Sequence, residues 1–329
     1  MLNLAACRYF AEVARLGSLR AAADRLHVAP SAISRQLAKL EHELDVQLLE
    51  RHSNGVRLTE AGTLLNSHLA VIFDRIDLAK GEIADLKGLK RGQVSVATVE
   101  GVTRPFLSEK IVAFRRDFPS IEMRVRIRGR ERVLEALEQH ICQIGILYDH
   151  FSHPIIETVG KWHQPLLALV PRDHPLADGR LVQLEDIIAL PCVMPDDSFG
   201  IHHLVNRVYG KLGARPNAVL MADQFHFLID HALRTGAIIF LPLQGALNEV
   251  QSGQVVPLNL QCKEFEYRYI YAVTRRDQQL PPAAAAFLQF ILAEFAKGEK
   301  FDAALLAEIR AAQGLAAPGQ NGQGQNGQG

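Results

Sequence analysis

Three short stretches of helical periodicity open the chain. Ala6, Phe10, Val13 and Ala14 form one apolar stripe, and Ile33, Leu37, Leu40 and Leu44 form another at steps of 4, 3 and 4. Between them "SLRAAADRL" (18–26) places Leu19 and Leu26 inward, and its small Ala22 and Ala23 allow close approach of a second helix. Ser18 after Gly17 is a natural N-cap, and Pro30 suits a first helical turn, where its missing N–H costs nothing. "HVA" (27–29) leaves room only for a tight turn with Val28 plugging the core, so the pattern predicts a helix-turn-helix.

The side of the third helix opposite its leucine stripe carries Ser31, Arg35 and His42, flanked by Ser34 and Lys39. Short hydroxyls and an arginine near a helix start suit base edges and phosphates in a major groove. Arg20, early in the preceding helix, is placed for a phosphate. "LLERHSNGVRLTEAG" (48–62) then offers a hairpin turn at Asn54-Gly55 with Arg51 and Arg57 beside it, read as a wing on the DNA backbone or minor groove.

From Thr59 on, Leu65, Leu69, Ile72, Ile76, Ala79, Ile83 and Leu86 recur at steps of 4, 3, 4, 3, 4 and 3. That 3.5-residue repeat marks a coiled-coil seam on a helix of about 60–88, on the order of 40 Å long, which needs a partner helix. "GLKRG" (88–92) ends it as a hinge. The texture then changes to strand–helix alternation. Strands are expected at 93–97, 122–127, 143–147, 166–170, 192–194, 218–221, 237–240 and 267–273. Helices are expected near 104–117, 130–140, 201–212, 224–235, 242–251 and 282–297, which gives a mostly parallel α/β arrangement. Along 122–127 the alternation of Arg124, Arg126, Arg128 and Arg130 with Val125 and Ile127 predicts arginines on a solvated face and the apolar residues inside.

At 329 residues the chain suggests two domains. Its formal net charge is zero, so attraction to nucleic acid must come from a local patch. Residues 1–58 carry eight Lys/Arg against six Asp/Glu; a single head should bind weakly, and a dimer is needed. Four scattered cysteines (Cys7, Cys142, Cys192 and Cys262) show no C-x-x-C, which fits a reducing cytoplasm. No apolar run reaches membrane-spanning length. His150-x-x-His153 and His202-His203 lack companions that would complete a metal set, and no phosphate loop, dinucleotide fingerprint or nucleophile elbow is present. No cofactor or metal is expected.

The run "FAEVARLGSLRAAADRLHVAPSAISRQLAKLEHELDVQLLERHSNGVRLTEAG" resembles the winged helix-turn-helix of LysR-type transcriptional regulators over its whole length. The pattern lies in G-S at the second helix, S-R-Q in the third, L-E-x-E-L closing it, and L-L-E-R…L-T-E-A-G at the wing. The resemblance implies DNA contacts from Pro30, Ser31, Ser34, Arg35 and Lys39, with wing support from Arg51 and Arg57. It extends more weakly through "FRRDFPSIEMRV", "VPRDHPLA" and "FLP" (240–242), which implies a periplasmic-binding-protein-like effector domain of two α/β lobes joined by crossover strands.

The implied organisation is a winged helix-turn-helix over 1–58, a linker and dimerisation helix over 59–91, and an effector domain over 92–300. One lobe would hold 92–161 and 269–300, and the other 162–268. A C-terminal extension covers 301–329, with a disordered Gly/Gln/Asn tail from about 313.

By position in the family pattern, Val99, Glu100, Thr103, Arg130, Phe199, His202 and Gln224 are the candidate effector contacts. Helix N-termini helped by Arg128 or Arg130 favour an anionic small molecule, whereas Glu100 in the same cleft suits an amine or a resting-state ion pair. The expected protein is a cytoplasmic, ligand-responsive, sequence-specific regulator and not an enzyme. Its partners would be double-stranded promoter DNA, a small effector and further copies of itself: a dimer through the linker helix, a tetramer through the α/β domains, and no membrane. The alternatives are an enzyme with an accessory DNA-binding head, or a ligand-independent architectural DNA protein.

Overall fold

The structure, a computed structural model, describes residues 3–52, 55–86 and 92–313. The chain divides into two compact units, one of Met1–Ile83 with Gln139–Ile141 and the other of Ala84–Glu138 with Cys142–Gly329.

The first unit starts with α1 (Leu4–Leu16), α2 (Leu19–Leu26) and α3 (Pro30–Leu44). Asn3 caps α1 by accepting the Ala5 and Ala6 N–H groups, and Ser18 caps α2 by accepting that of Ala21. The turn between α2 and α3 is made by His27 at φ 54, whose N–H returns to the Ala23 and Asp24 carbonyls that α2 leaves unpaired. Phe10, Val13, Ala22, Ala23, Ile33, Leu37 and Leu40 are buried at 2% exposure or less, with Leu19, Leu26 and Val28 packed against them. Leu44 departs from its stripe: it is 37% exposed, on the last turn before the left-handed cap at Asp45 and past the reach of the core.

Strands β1 (Leu49–His52) and β2 (Gly55–Leu58) pair antiparallel as the expected hairpin, although Asn54 of its turn lies outside the described residues. The Glu41 carboxylate accepts the N–H groups of Leu48 (2.8 Å) and Leu49 (3.2 Å) and so ties the hairpin to α3. Thr59 donates to the Gln47 carbonyl (2.8 Å) and accepts the Gly62 N–H (3.0 Å) at the start of α4 (Glu60–Leu86). A Cβ on Gly62 would stand 2.1 Å from the Leu48 carbonyl oxygen, so "LTEAG" needs its glycine.

The heptad seam on α4 does not serve one purpose. Leu69 is 2% exposed in the core of this unit, with Leu65 and Phe73 packed beside it. Ile72 (44%) and Ile83 (55%) stay exposed, and Leu64 (62%) and Val71 (41%) add to the uncovered apolar surface. The hinge expected at 88–92 falls almost wholly outside the described residues, as does the tail beyond Gln313.

The second unit runs β3 (Gly92–Thr98), α5 (Ser108–Asp117), β4 (Ile121–Ile127), α6 (Arg130–Glu138), β5 (Ile144–Tyr148) and β6 (Ile156–His163), then crosses to a second sheet. That lobe holds β7 (Leu166–Pro171), β8 (Leu181–Val182), α7 (Leu184–Ile187), β9 (Pro191–Pro195), α8 (Gly200–Gly210), β10 (Asn217–Ala222), α9 (Phe225–Thr235), β11 (Ile238–Pro242), α10 (Leu247–Gln251), β12 (Val255–Pro257), β13 (Asn259–Leu260) and α11 (Lys263–Glu266). The chain returns through β14 (Tyr269–Arg275) and ends in α12 (Pro282–Ala312).

The two five-stranded sheets are ordered β4-β3-β5-β14-β6 and β10-β9-β11-β7-β12. They are not mostly parallel. β14 runs antiparallel to β5 and β6, and β7 runs antiparallel to β11 and β12, because each enters from the opposite lobe at the edge where the parallel strands end. The first lobe keeps the chain to His163 rather than 161, since β6 pairs with β14 from Ile156 to His163.

Two further expectations are corrected. On the edge strand β4 the apolar residues do not face inward: Val125 is 39% and Ile127 48% exposed, while Arg124 and Arg126 are half-buried. Period-2 alternation names two faces but not which one a neighbouring layer covers. The last helix also does not stop near 297. α12 runs unbroken to Ala312; Ala284, Phe287, Ile291 and Phe295 are buried on the first lobe, while Leu306, Arg310 and Gln313 lie against Leu166, Pro257 and Leu258 of the second. The helix therefore ties the two lobes together alongside the two crossovers. Among the described residues no helix is long and apolar enough to cross a membrane.

Candidate functional sites

Because Ile33, Leu37 and Leu40 point into the core, the opposite side of α3 faces out. Pro30, Ser31, Arg35 and Lys39 are exposed there, and Ser34 is half-buried. Arg35 and Lys39 make no hydrogen bond or ion pair among the described residues; the same holds for Arg20 at the start of α2 and Arg57 on β2, both exposed. Ala29 gives α3 no side-chain cap, which leaves the partial positive charge of its N-terminus without a capping side chain among the described residues. The backbone of Arg51 lies on β1, but its side chain is not among those described.

The cleft between the lobes of the second unit collects the ends of β3, β5 and β9 and the starts of α6, α8 and α9. Val99 (5% exposed), Phe199 (7%) and Arg130 line a small cavity together with Val102, Tyr148 and Phe225. The Phe199 and Phe225 rings stand 5.5 Å apart across it.

Glu100 and Thr103 lie on the far side of Phe225, in a separate recess with His226 and Asn248. The Glu100 carboxylate accepts the Phe225 N–H at 2.9 Å, bonding one lobe to the start of α9 on the other, and Thr103 donates to the Glu100 carbonyl at 2.8 Å. Burial raises the Glu100 pKa, and Asp223 adds to this, against the lowering effects of the Phe225 N–H and of His226.

Arg128 is exposed and donates to the Ile127 carbonyl (2.8 Å), the His202 Nδ1 lies 3.2 Å from the Pro195 carbonyl oxygen, and Gln224 is exposed just before α9. These three line neither recess. Thus the structure gathers Val99, Arg130 and Phe199 in one place and sets the other five candidates apart.

Sequence reasoning missed Asp149, Arg207 and Arg268 at the mouth of the cleft, where they share a recess with Arg130, His150 and His203. Arg268 pairs with Asp149 at 2.6 Å, with side chains 18% and 10% exposed. The two residues are 119 positions apart, so no local pattern could have paired them. The only signal was position, directly after β5 and directly before β14.

Among the described residues no group of three or more His, Cys, Asp or Glu side chains is placed to hold a metal ion. All four cysteines are buried and none is in a disulfide, and burial pushes Cys192 up to about 12 and Cys262 up to about 11, well away from thiolate reactivity.

Two family models match the chain: the bacterial regulatory helix-turn-helix of the LysR family over residues 4–63, and the LysR substrate binding domain over residues 87–296. A RuBisCO operon transcriptional regulator of Allochromatium vinosum is 27% identical over 297 residues, covering 90% of this chain and 97% of its own length. Among solved structures, full-length CbnR complexed with its target DNA aligns over 89% of this chain and 99% of its own, with a TM-score of 0.60 and 22% identity. The effector-binding domain of QuiR in complex with shikimate aligns over 63% of this chain and 98% of its own, with a TM-score of 0.55 and 17% identity.

Proposed function

The chain belongs to the LysR family of transcriptional regulators, and we propose that it reads promoter DNA in pairs through the outer face of α3. The family's members are regulators of transcription and not enzymes, which removes the reading of a catalyst with a DNA-binding accessory. The observation that carries the proposal is the division of α3: one side is fully buried, and the other offers Ser31, Arg35 and Lys39 with no partner for either cation among the described residues. In this reading Arg35, with Pro30, Ser31 and Ser34 around it, reaches base edges, while Lys39, Arg20 and the wing arginines Arg51 and Arg57 hold phosphates.

The exposed Ile72 and Ile83 on α4 need covering by a second copy, which makes the dimer. Val125 and Ile127 on edge strand β4, with Val219 (53% exposed) and Met221 (55%) on edge strand β10, form apolar strips suited to a tetramer. The effector is a small anion bound between the lobes; the similar effector binding domain of QuiR is in complex with shikimate. Its binding biases the lobes and so the spacing of paired heads and the bend of the DNA. A ligand-independent architectural role is disfavoured, since it gives the two-lobed domain no task. The protein acts in the cytoplasm.

Titration of a promoter fragment across ionic strength tests the electrostatic part. Four phosphate contacts per head, doubled in a dimer, give a slope of log K against log salt of about −7. Arg20→Ala should flatten that slope by roughly 2, one unit for each head. A slope near zero for the unaltered protein rules the interface out.

A further inference from the structure

The cleft has an inner and an outer compartment that differ in room and in charge. The inner one, between Phe199 and Phe225, holds about 10 Å³, space for no more than a water molecule. The outer recess at its mouth is about 410 Å³, within the range of small-molecule sites. Arg130 and Gly200 border both.

The outer recess is cationic on both walls. Arg130 comes from α6 of one lobe, Arg207 and His203 from α8 of the other, and Arg268 from the crossover between them. Asp149 is its one acidic lining residue, against the three arginines. The arginines also have donors to spare. Arg207 is exposed and its side chain makes no hydrogen bond or ion pair among the described residues. Arg268 uses Nη1 on Asp149 and Nε on the Glu264 carbonyl (2.7 Å), which leaves Nη2. Arg130 is held by Glu131 (2.8 Å), itself 63% exposed, a surface pair weak enough to exchange for a better anion. The start of α8 at Gly200 has no side-chain cap and adds its partial positive charge.

We propose that this outer recess seats the charged end of the effector, and that the effector is a compact dianion, a dicarboxylate or a phosphate monoester. The inference rests on the reading of the cleft as the effector site. It also resolves the position of Glu100: its carboxylate serves the start of α9 in another recess and does not oppose an anion here. Arg130 and Arg207 stand on opposite lobes and repel each other until a dianion lies between them, so ligand charge is what draws the lobes together.

Thermal shift and calorimetry on the full-length protein test this with five probes at pH 7.5: succinate, glycerol 3-phosphate, butyrate, neutral succinamide and cationic 1,4-diaminobutane. One or both dianions should bind, about ten-fold or more tightly than butyrate, and lose about ten-fold in affinity in Arg207→Ala. Arg207 is exposed and makes no hydrogen bond or ion pair among the described residues, so that variant should fold normally. Succinate alone marks a dicarboxylate, glycerol 3-phosphate alone a phosphate monoester. No response to either dianion overturns the proposal. Succinamide or diaminobutane binding that Gly200→Trp abolishes would overturn it while keeping the cleft as the effector site. Dianion binding that survives both Arg207→Ala and Gly200→Trp would place the ligand elsewhere and overturn both readings.

Discussion

Arg35→Ala is expected to remove operator recognition while leaving the head folded. An arginine that reads a base typically contributes roughly 1–3 kcal/mol of discrimination, and a dimer loses it twice, so specific affinity should fall by roughly 2–6 kcal/mol. That is at least about 30-fold, enough to bring the operator close to bulk DNA. The side chain is exposed and makes no ion pair among the described residues, so its loss leaves no buried charge behind. Circular dichroism should be unchanged, and competition with unrelated DNA should then weaken specific and non-specific binding to similar values. A change below about threefold would move base reading to another residue.

The second large effect concerns Asp302, where α12 passes from one lobe to the other. The side chain is 3% exposed and accepts hydrogen bonds from the Gln164 amide on the crossover and the Gln244 amide of the second lobe (2.8 Å). Burial pushes its carboxyl up to about 7, against the lowering effect of the Gln244 and Gln164 donors. In the unfolded chain the same group titrates near the ordinary aspartate value of about 3.9. The folded state therefore keeps a proton that the unfolded state releases. Its stabilising contribution is full below about pH 4 and is lost as pH rises to about 7, on the order of 4 kcal/mol in all.

Asp302→Asn removes this titration. Urea denaturation between pH 4.5 and 8 should show the unaltered protein losing stability relative to the variant as pH rises. Glu131, Glu294 and Glu264 are held below the usual carboxylate range and act in the opposite direction, but they are common to both proteins and cancel in the difference. Parallel curves would mean that Asp302 is ionised in the fold at all pH values tested.

What could be read from the sequence was what local periodicity encodes. The stripes of α1 and α3 and the Ser18 cap predicted the core of the head, and the runs at 93–97, 166–170 and 237–240 predicted buried strands. Periodicity failed where the answer lies in a partner. Leu44 and Ile72 continue their stripes but run beyond the surface that covers them. Strand β6 was missed because only Ile156 and Trp162 of its eight residues are buried, too sparse an alternation to recognise. The cleft was misjudged for a similar reason. Family position grouped Val99 and Phe199, which line one cavity, but it gave no sign that Phe225 fills the space between them. Nor did it show that Arg268 and Asp149, far apart in the chain, close the outer wall.

The central claim, that paired α3 faces read duplex grooves, is tested most directly by footprinting the full-length protein on fragments it selects from a random DNA pool, together with its sedimentation at the same concentration. The account predicts a dimer or tetramer protecting two patches about 10–10.5 base pairs apart, or a multiple of that, on one side of the duplex. A monomer that protects no fragment better than bulk DNA at low ionic strength would contradict it.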